Sequence, residues 1–348
     1  MKIWIATGGT GGHVFPALSV AEELVARGHR VTISCDGRVR DMVRRGAPSG
    51  ARFVHVWAAG VGAKSRLNQM VALAKIMVSA AALSVRFLFS RPARVVAFGG
   101  YACVPAVFAA HLWRIPTFLH EQNAAIGRAN KFAMPWVKTL MTSFADVSGV
   151  PAASRARVAY TGLPVRHEFL AAAKSPLHHN GRILVTGGSL GSQILDDVVP
   201  NAIVAMKNKK IFVTHQTRPE NVARLQKFYS DNRIHANVLS FIHDMATCVV
   251  DADIVIGRSG ASTVVELQTV GRPAIFVPLA INPDQTANAA AFSKNGGGLS
   301  VPQNRFTEKW LAATLGDLFE NPSRLDKMAA KAYVPNTAVQ NIVDVITK

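Results

Sequence analysis

The chain has 348 residues, and at about 100–200 residues per domain that favours two domains. Hydrophobic residues make up 49%, so wholesale disorder is excluded, and three scattered cysteines (Cys35, Cys103, Cys248) without a CxxC pair exclude a disulfide framework or cysteine zinc site and fit a reducing compartment. Formal net charge is +18, and it is uneven: residues 1–165 carry 20 Lys/Arg against 6 Asp/Glu, residues 166–348 carry 19 against 15, so the first half is expected to meet an anionic surface or substrate.

Lys2–Thr7 reads as a buried strand from the outset, without the apolar stretch and cleavage site of a signal peptide. GGTGGH at 8–13 reads as a tight turn, Phe15–Arg27 as a helix stopped by Gly28, and Val31–Cys35 as a second strand, which together predict a βαβ unit. Leu67–Phe89 is apolar almost throughout. Its longest uninterrupted run, Ile76–Val85, is short of the ~18–20 residues that cross a bilayer, so no span is expected. Lys64, Arg66, Arg86, Arg91 and Arg94 bracket it, as in a surface helix dipping into an anionic interface; an ordinary buried helix is the other reading.

Arg94–Ala97 is a strand running into FGGY (98–101) and an apolar helix to Trp113. Thr117–His120 is a short strand ending in Glu121-Gln122-Asn123. Thr161–Arg166 is the expected linker. The opening pattern then returns: strand Arg182–Thr186, GGSLGS at 187–192, helix Ile194–Met206, strand Lys210–Thr214. Asp253–Ile256 feeds GRSGAST (257–263) and a helix containing Glu266, and Ala274–Pro278 is the next strand. The last helix, about 337–347, reads as one that can return to the first domain. Two such units predict an α/β chain of two similar doubly wound domains, with a ligand in the cleft between them.

Strand–glycine–helix turns aim backbone N–H groups and a positive dipole end at an anion. Four of them (8–12, 99–100, 187–191, 257–260) point to a phosphate-bearing ligand. GxGxxG, GK[ST], GxSxG and metal-ligand spacings are all absent, so no metal and no cofactor are expected. Four tyrosines and no basic–aromatic stripe argue against a nucleic-acid partner. His13, at a helix start that keeps its ring neutral, is a candidate general base or else a phosphate contact or cap. Glu121, at the end of a strand, is a second candidate base, or a carboxylate that organises its loop. Glu266 is spaced to accept from the two hydroxyls of a ribose, or is a surface ion-pairing glutamate; Asp284, Gln285 and Asn288 suit sugar hydroxyls.

Taken in order, GGTGGHVFPAL (8–18), FGGY, HEQN (120–123), PVR (164–166), GGSLGS, FIHDM (241–245) and RSGASTVVEL (258–267) resemble the MurG family of peripheral membrane glycosyltransferases. The resemblance implies a GT-B fold of two Rossmann-like domains: residues 1–163 plus about 335–348 for the acceptor and membrane, and 164–334 for UDP-GlcNAc. It implies transfer of GlcNAc to a lipid-linked MurNAc-pentapeptide in peptidoglycan synthesis, at the cytoplasmic face of the bacterial inner membrane. Its implied partners are an anionic membrane surface and a cell-wall synthesis complex. Donor-binding roles carry over to Thr10, Gly11 and Gly12, a turn that the resemblance also offers to the acceptor's pyrophosphate, and to Asn123, Arg166, Ser189, Ile242, Ala261, Ser262, Thr263, Val264, Val265, Glu266 and Gln285. Departures from the family pattern are Leu163, Leu190, the alanine, cysteine and valine of YACVP (102–104), which shorten the second glycine turn, and the adjacent pair Asp284–Gln285, with Pro283 in the usual aspartate place. Another GT-B enzyme, an epimerase or a transferase with a soluble acceptor, is the alternative.

Overall fold

A computed structural model describes residues 1–58, 66–188, 191–206 and 210–348, with 155 and 156 as backbone only. Two units emerge, Met1–Arg166 with Asn336–Lys348, and His167–Pro335. Arg166, expected in the second domain with Pro164 and Val165, therefore closes the first unit at the end of the expected linker.

Unit 1 runs β1 (Lys2–Ala6), α1 (Gly11–Ala26), β2 (Arg30–Cys35), α2 (Arg40–Gly46), β3 (Arg52–His55), α3 (Arg66–Phe89), β4 (Arg94–Ala97), α4 (Val104–Leu112), β5 (Thr117–Glu121), α5 (Arg128–Ala133), β6 (Thr139–Thr142) and β7 (Val158–Tyr160). Its sheet is parallel in the order β3-β2-β1-β4-β5-β6-β7. Central strands such as β1 (KIWIA) are apolar runs rather than alternations because helices cover both faces.

Unit 2 runs α6 (His167–Ala171), β8 (Arg182–Thr186), α7 (Gln193–Met206), β9 (Phe212–Gln216), α8 (Pro219–Asp231), β10 (His235–Leu239), α9 (Met245–Asp251), β11 (Ile254–Gly257), α10 (Ala261–Val270), β12 (Ala274–Phe276), α11 (Pro283–Lys294), β13 (Gly298–Ser300), α12 (Glu308–Glu320) and α13 (Pro322–Ala332). Its parallel order is β10-β9-β8-β11-β12-β13. The last helix, α14 (Ala338–Thr347), belongs to unit 1. It buries Ile342, Val343 and Ile346 in the cluster that holds Val14, Leu18 and Leu24 of α1.

Two differences from the sequence expectation matter. Helix α1 starts at Gly11 rather than near Phe15, so Gly11, Gly12 and His13 form its first turn. Helix α3 is continuous over 24 residues and is, among the described residues, the one helix long and apolar enough to cross a membrane by length and composition. A broken apolar run is therefore no argument against a span. The packing is: Ala72, Ile76, Ser79, Ala80, Leu83 and Phe87 form a buried stripe at helical spacing, and the Ser79 hydroxyl bonds the backbone of Trp57. Its other faces expose Leu67, Met70, Met77, Val85, Leu88 and Phe89.

Candidate active site

In each sheet the strand order reverses direction once, between β1 and β4 and between β8 and β11. Ligands of open α/β sheets bind at the carboxyl ends of the strands at such switch points. The turn at 8–10 follows β1 and the turn at 98–101 follows β4; Gly187, Gly188 and Gly191 follow β8 and 258–260 follows β11. All four glycine turns thus flank the two switch points.

In unit 1 the His13 imidazole lies against the FGGY turn. A Cβ on Gly99 would stand 3.1 Å from His13 Cδ2 and 3.2 Å from Gln122 Oε1, and φ there is +86°. A side chain there would crowd the ring, and the positive φ favours glycine in any case. The single Cys103 S–H is shared between the carbonyls of Gly99 and Ala6, and Gln122 Nε2 donates to that of Phe98, fixing the turn to the sheet. His13 Nδ1 lies 3.3 Å from Thr10 Oγ1. Burial, then the nearby Arg38 charge, hold the imidazole down to about 4, against an opposing pull from Asp36. The ring is a neutral base at physiological pH.

Asp36 and Arg38 escaped the sequence reading, which ended the second strand at Cys35. Asp36 is buried beside the switch point and grips the Arg38 guanidinium through Nε and Nη2 at 3.2 and 2.6 Å. Arg38 Nη2 lies 3.8 Å from where a Gly9 Cβ would stand, so a fixed cation flanks the first turn. The rule applied to Glu121, an ionisable group just past a strand, would have found them.

Glu121 is different from the expected reserve base. Its carboxylate, buried at the end of β5, accepts from the Asn123 and Gly127 backbone N–H groups and from the amides of Asn123 and Asn130. Four donors fill the sites of two carboxylate oxygens. Glu121 organises the 122–130 loop and has no free lone pair for a hydroxyl proton. Asn123 is thereby fixed at the sheet edge.

His120 is also committed. Its buried Nε2 bonds the Gly162 carbonyl at 2.9 Å and its Nδ1 has no partner; burial drives its pKa down to about 4. With a folded value of about 4 and an unfolded value of about 6.5, the unfolded state binds more protons between them. Stability is then full above about 6.5 and falls by on the order of 3 kcal/mol as pH drops toward 4. Hydrogen exchange of β5 amides should show this loss between pH 7 and 5. His120→Gln, which keeps a donor for Gly162, should remove a large part of it; an unchanged loss would refute the assignment.

In unit 2, helix α10 begins with Ala261, Ser262 and Thr263, ahead of the first helical bond from Val264 to Gly260. Their N–H groups face the carboxyl end of β11. The preceding turn is pinned. Arg258 donates to Val277 O and Gln303 Oε1, Ser259 Oγ to Gln285 O, and Asn288 Nδ2 to Ser259 O. Asn288 is completely buried, so its amide holds this turn rather than a sugar. Gln285 Oε1 accepts from Leu279 N, leaving its NH₂ as the group able to meet a ligand. Val264 and Val265 are buried in the unit, while Glu266 is half-buried about 7.5 Å along the axis from Ala261. Ile242, in the loop after β10, is buried just before Asp244, which caps α9 by accepting from Thr247 N.

The other turn of unit 2 is braced from below: Gln216 accepts from Thr186 Oγ1 and donates to Gly188 O. Ser189 and Leu190 lie outside the described residues. Arg166 is half-buried at the end of unit 1, and Leu163, where the family pattern has asparagine, is fully buried with its carbonyl accepting from Asn336. Among the described residues no group of three or more His, Cys, Asp or Glu is arranged to hold a metal ion.

Two doubly wound parallel sheets, each with paired glycine turns at its switch point, define the GT-B class of nucleotide-sugar enzymes. Residues 3–142 match the glycosyltransferase family 28 N-terminal domain and residues 182–346 the family's C-terminal domain. The chain belongs to glycosyltransferase family 28. A relative from Methylorubrum populi, named UDP-N-acetylglucosamine–N-acetylmuramyl-(pentapeptide) pyrophosphoryl-undecaprenol N-acetylglucosamine transferase, is 41% identical over 343 residues, 95% of this chain and 92% of its own. The solved MurG of Acinetobacter baumannii superposes with a TM-score of 0.77 at 31% identity, over 99% of this chain and 98% of that one. A UDP-GlcNAc 2-epimerase from Neisseria meningitidis reaches 0.69 over the whole chain at only 14% identity, a likeness of fold alone.

Proposed function

We infer that the chain is an inverting glycosyltransferase that moves GlcNAc from UDP-GlcNAc to the C4 hydroxyl of undecaprenyl-pyrophosphoryl-MurNAc-pentapeptide, converting lipid I to lipid II in peptidoglycan synthesis. The observation that carries this is the 41% identity to a transferase of that name across both domains.

Unit 2 holds the donor. The N–H groups of Ala261, Ser262 and Thr263 meet the diphosphate, Glu266 the ribose hydroxyls, the Ile242 backbone the uracil, and the Gln285 NH₂ the sugar. Val264 and Val265 serve by burying the helix that carries these groups. Arg166 and Ser189 add contacts to the phosphates, and Asn123 to the donor sugar. As the glycosidic bond breaks, charge grows on the departing diphosphate, where preorganised N–H groups and a guanidinium stabilise it most. This reading needs no resident metal. Unit 1 holds the acceptor. Thr10, Gly11 and Gly12 with Arg38 meet its pyrophosphate, and His13 takes the C4 hydroxyl proton as the new bond forms.

The chain works as a peripheral protein on an anionic membrane, at the cytoplasmic face of the inner membrane and within a cell-wall synthesis complex. Supporting this are the exposed apolar faces of α3 and the net positive charge of the first half of the chain. The purified chain, incubated with radiolabelled UDP-GlcNAc and the lipid-linked acceptor in EDTA, should yield a β-linked lipid disaccharide. Release of the 2-epimer from UDP-GlcNAc alone, or activity only after a divalent cation is restored, would overturn it.

A further inference from the structure

The amino-terminal edge of the unit 1 sheet, opposite the His13 turn, carries a cavity of about 470 Å³. Lys2 at the start of β1, Arg30 at the start of β2, Arg94 at the start of β4 and Arg91 just before it line the cavity, with Ile115, Pro116 and no acidic residue. Helices α1, α3 and α4 end at this edge, so their carbonyl ends favour cations there. That accounts for one bond, from Arg91 Nη2 to Trp113 O at 2.7 Å. It does not account for the rest. Among the described residues, Arg94 bonds only the neighbouring Ala93 carbonyl and keeps a buried, unpartnered Nε; Lys2 reaches Ser90 Oγ at a long 3.4 Å. Four full cations exceed the roughly half charge of each helix end. The cavity is short of an anion with several acceptor oxygens.

Its neighbours say which anion. Leu88 and Phe89, the last residues of α3, are 58% and 83% exposed and lead directly through Ser90 to Arg91; Leu112 at the end of α4 is 58% exposed. An anionic group over the cations has apolar anchors for an attached chain beside it. We propose that this cavity is a phosphate site that takes the headgroup phosphate of an anionic lipid, with Leu88 and Phe89 in its acyl region. The proposal rests on the membrane reading above and adds to it a defined pocket.

The test uses the full chain at 0.15 M salt, with phosphatidylglycerol–phosphatidylcholine vesicles and, separately, monomeric dihexanoyl-phosphatidylglycerol in calorimetry. Arg30→Gln/Arg94→Gln should weaken vesicle binding at least tenfold and abolish saturable binding of the short lipid. Arg44→Gln/Arg45→Gln, an equal charge loss on the exposed end of α2, should cost at most about threefold. Arg30→Gln alone, at an exposed position, should give an intermediate loss and guards against misfolding of the double variant. Equal losses for the two double variants would overturn the pocket, leaving only diffuse attraction. Saturable binding of inorganic phosphate with none of the short lipid would overturn the lipid assignment. Leu88→Ser/Phe89→Ser tests the membrane reading separately: if vesicle binding survives it unchanged, that reading fails, while the calorimetry still reports on the pocket.

Discussion

Replacing Glu266 by alanine raises the KM for UDP-GlcNAc by roughly 10- to 100-fold, the worth of one or two hydrogen bonds from sugar hydroxyls to a carboxylate. The expected kcat stays within a few-fold, because the ribose is held equally before and during the reaction and such uniform binding does not lower the chemical barrier. Folding is barely affected. Residues of α10 that pack the unit are Ala261, Val264, Val265, Leu267, Thr269 and Val270, all buried, whereas Glu266 is half-exposed. Calorimetry with UDP alone isolates the effect, since UDP carries the ribose and the diphosphate but no GlcNAc. Glu266→Gln, which keeps an acceptor oxygen without the charge, should fall between wild type and alanine. UDP binding that is unchanged in the alanine variant removes the ribose role.

The strands that carry the turns were legible because a buried parallel strand is a continuous apolar run, and a glycine directly after it is hard to mistake. Arg94–Ala97 and Arg182–Thr186 were read to the residue. Edge strands were not: β3 and β10 are mostly exposed or half-exposed and lack that apolar signature. Local spacing also reveals which residues face a sheet edge but not what they touch. Glu121 was open as base or loop organiser because its partners include Gly127 and Asn130, which reach it only when the loop folds back. The glycines at 99–100 were read as an anion turn, and their place under the His13 ring depends on β1 and β4 being neighbours. Arg86, read as a membrane-facing charge, stacks over Trp4 with its guanidinium 5.8 Å from the ring centroid. Arg272, fully buried and bonded to the carbonyls of Ser175, Pro176, Val249 and Val250, had no sequence signal at all.

His13→Ala should cut kcat by about 10²–10⁴-fold, the usual cost of losing a general base, while UDP affinity should stay near wild type, since the proposed UDP site is built mainly from unit 2 residues. A base held at about 4 looks too weak for a sugar hydroxyl at neutral pH. Burial lowers it most, and Arg38, gripped by Asp36 beside the same turn, lowers it further; only this second, smaller part can be reversed by a bound anion. An acceptor pyrophosphate bound there would neutralise the guanidinium and bring negative charge of its own, and both changes favour the imidazolium. Binding the acceptor would therefore raise the basicity of His13 when it is needed. The sign is testable. The imidazole works unprotonated, so activity falls as pH drops through its pKa, and the acid limb of kcat should lie above that of kcat/KM for the acceptor. Arg38→Gln should raise the kcat/KM limb and narrow the gap between the two. Coincident limbs in wild type would discard the substrate-tuned base. Near-wild-type kcat in His13→Ala would discard His13 itself, and with all four donors already on Glu121, the proton would then have to leave through water.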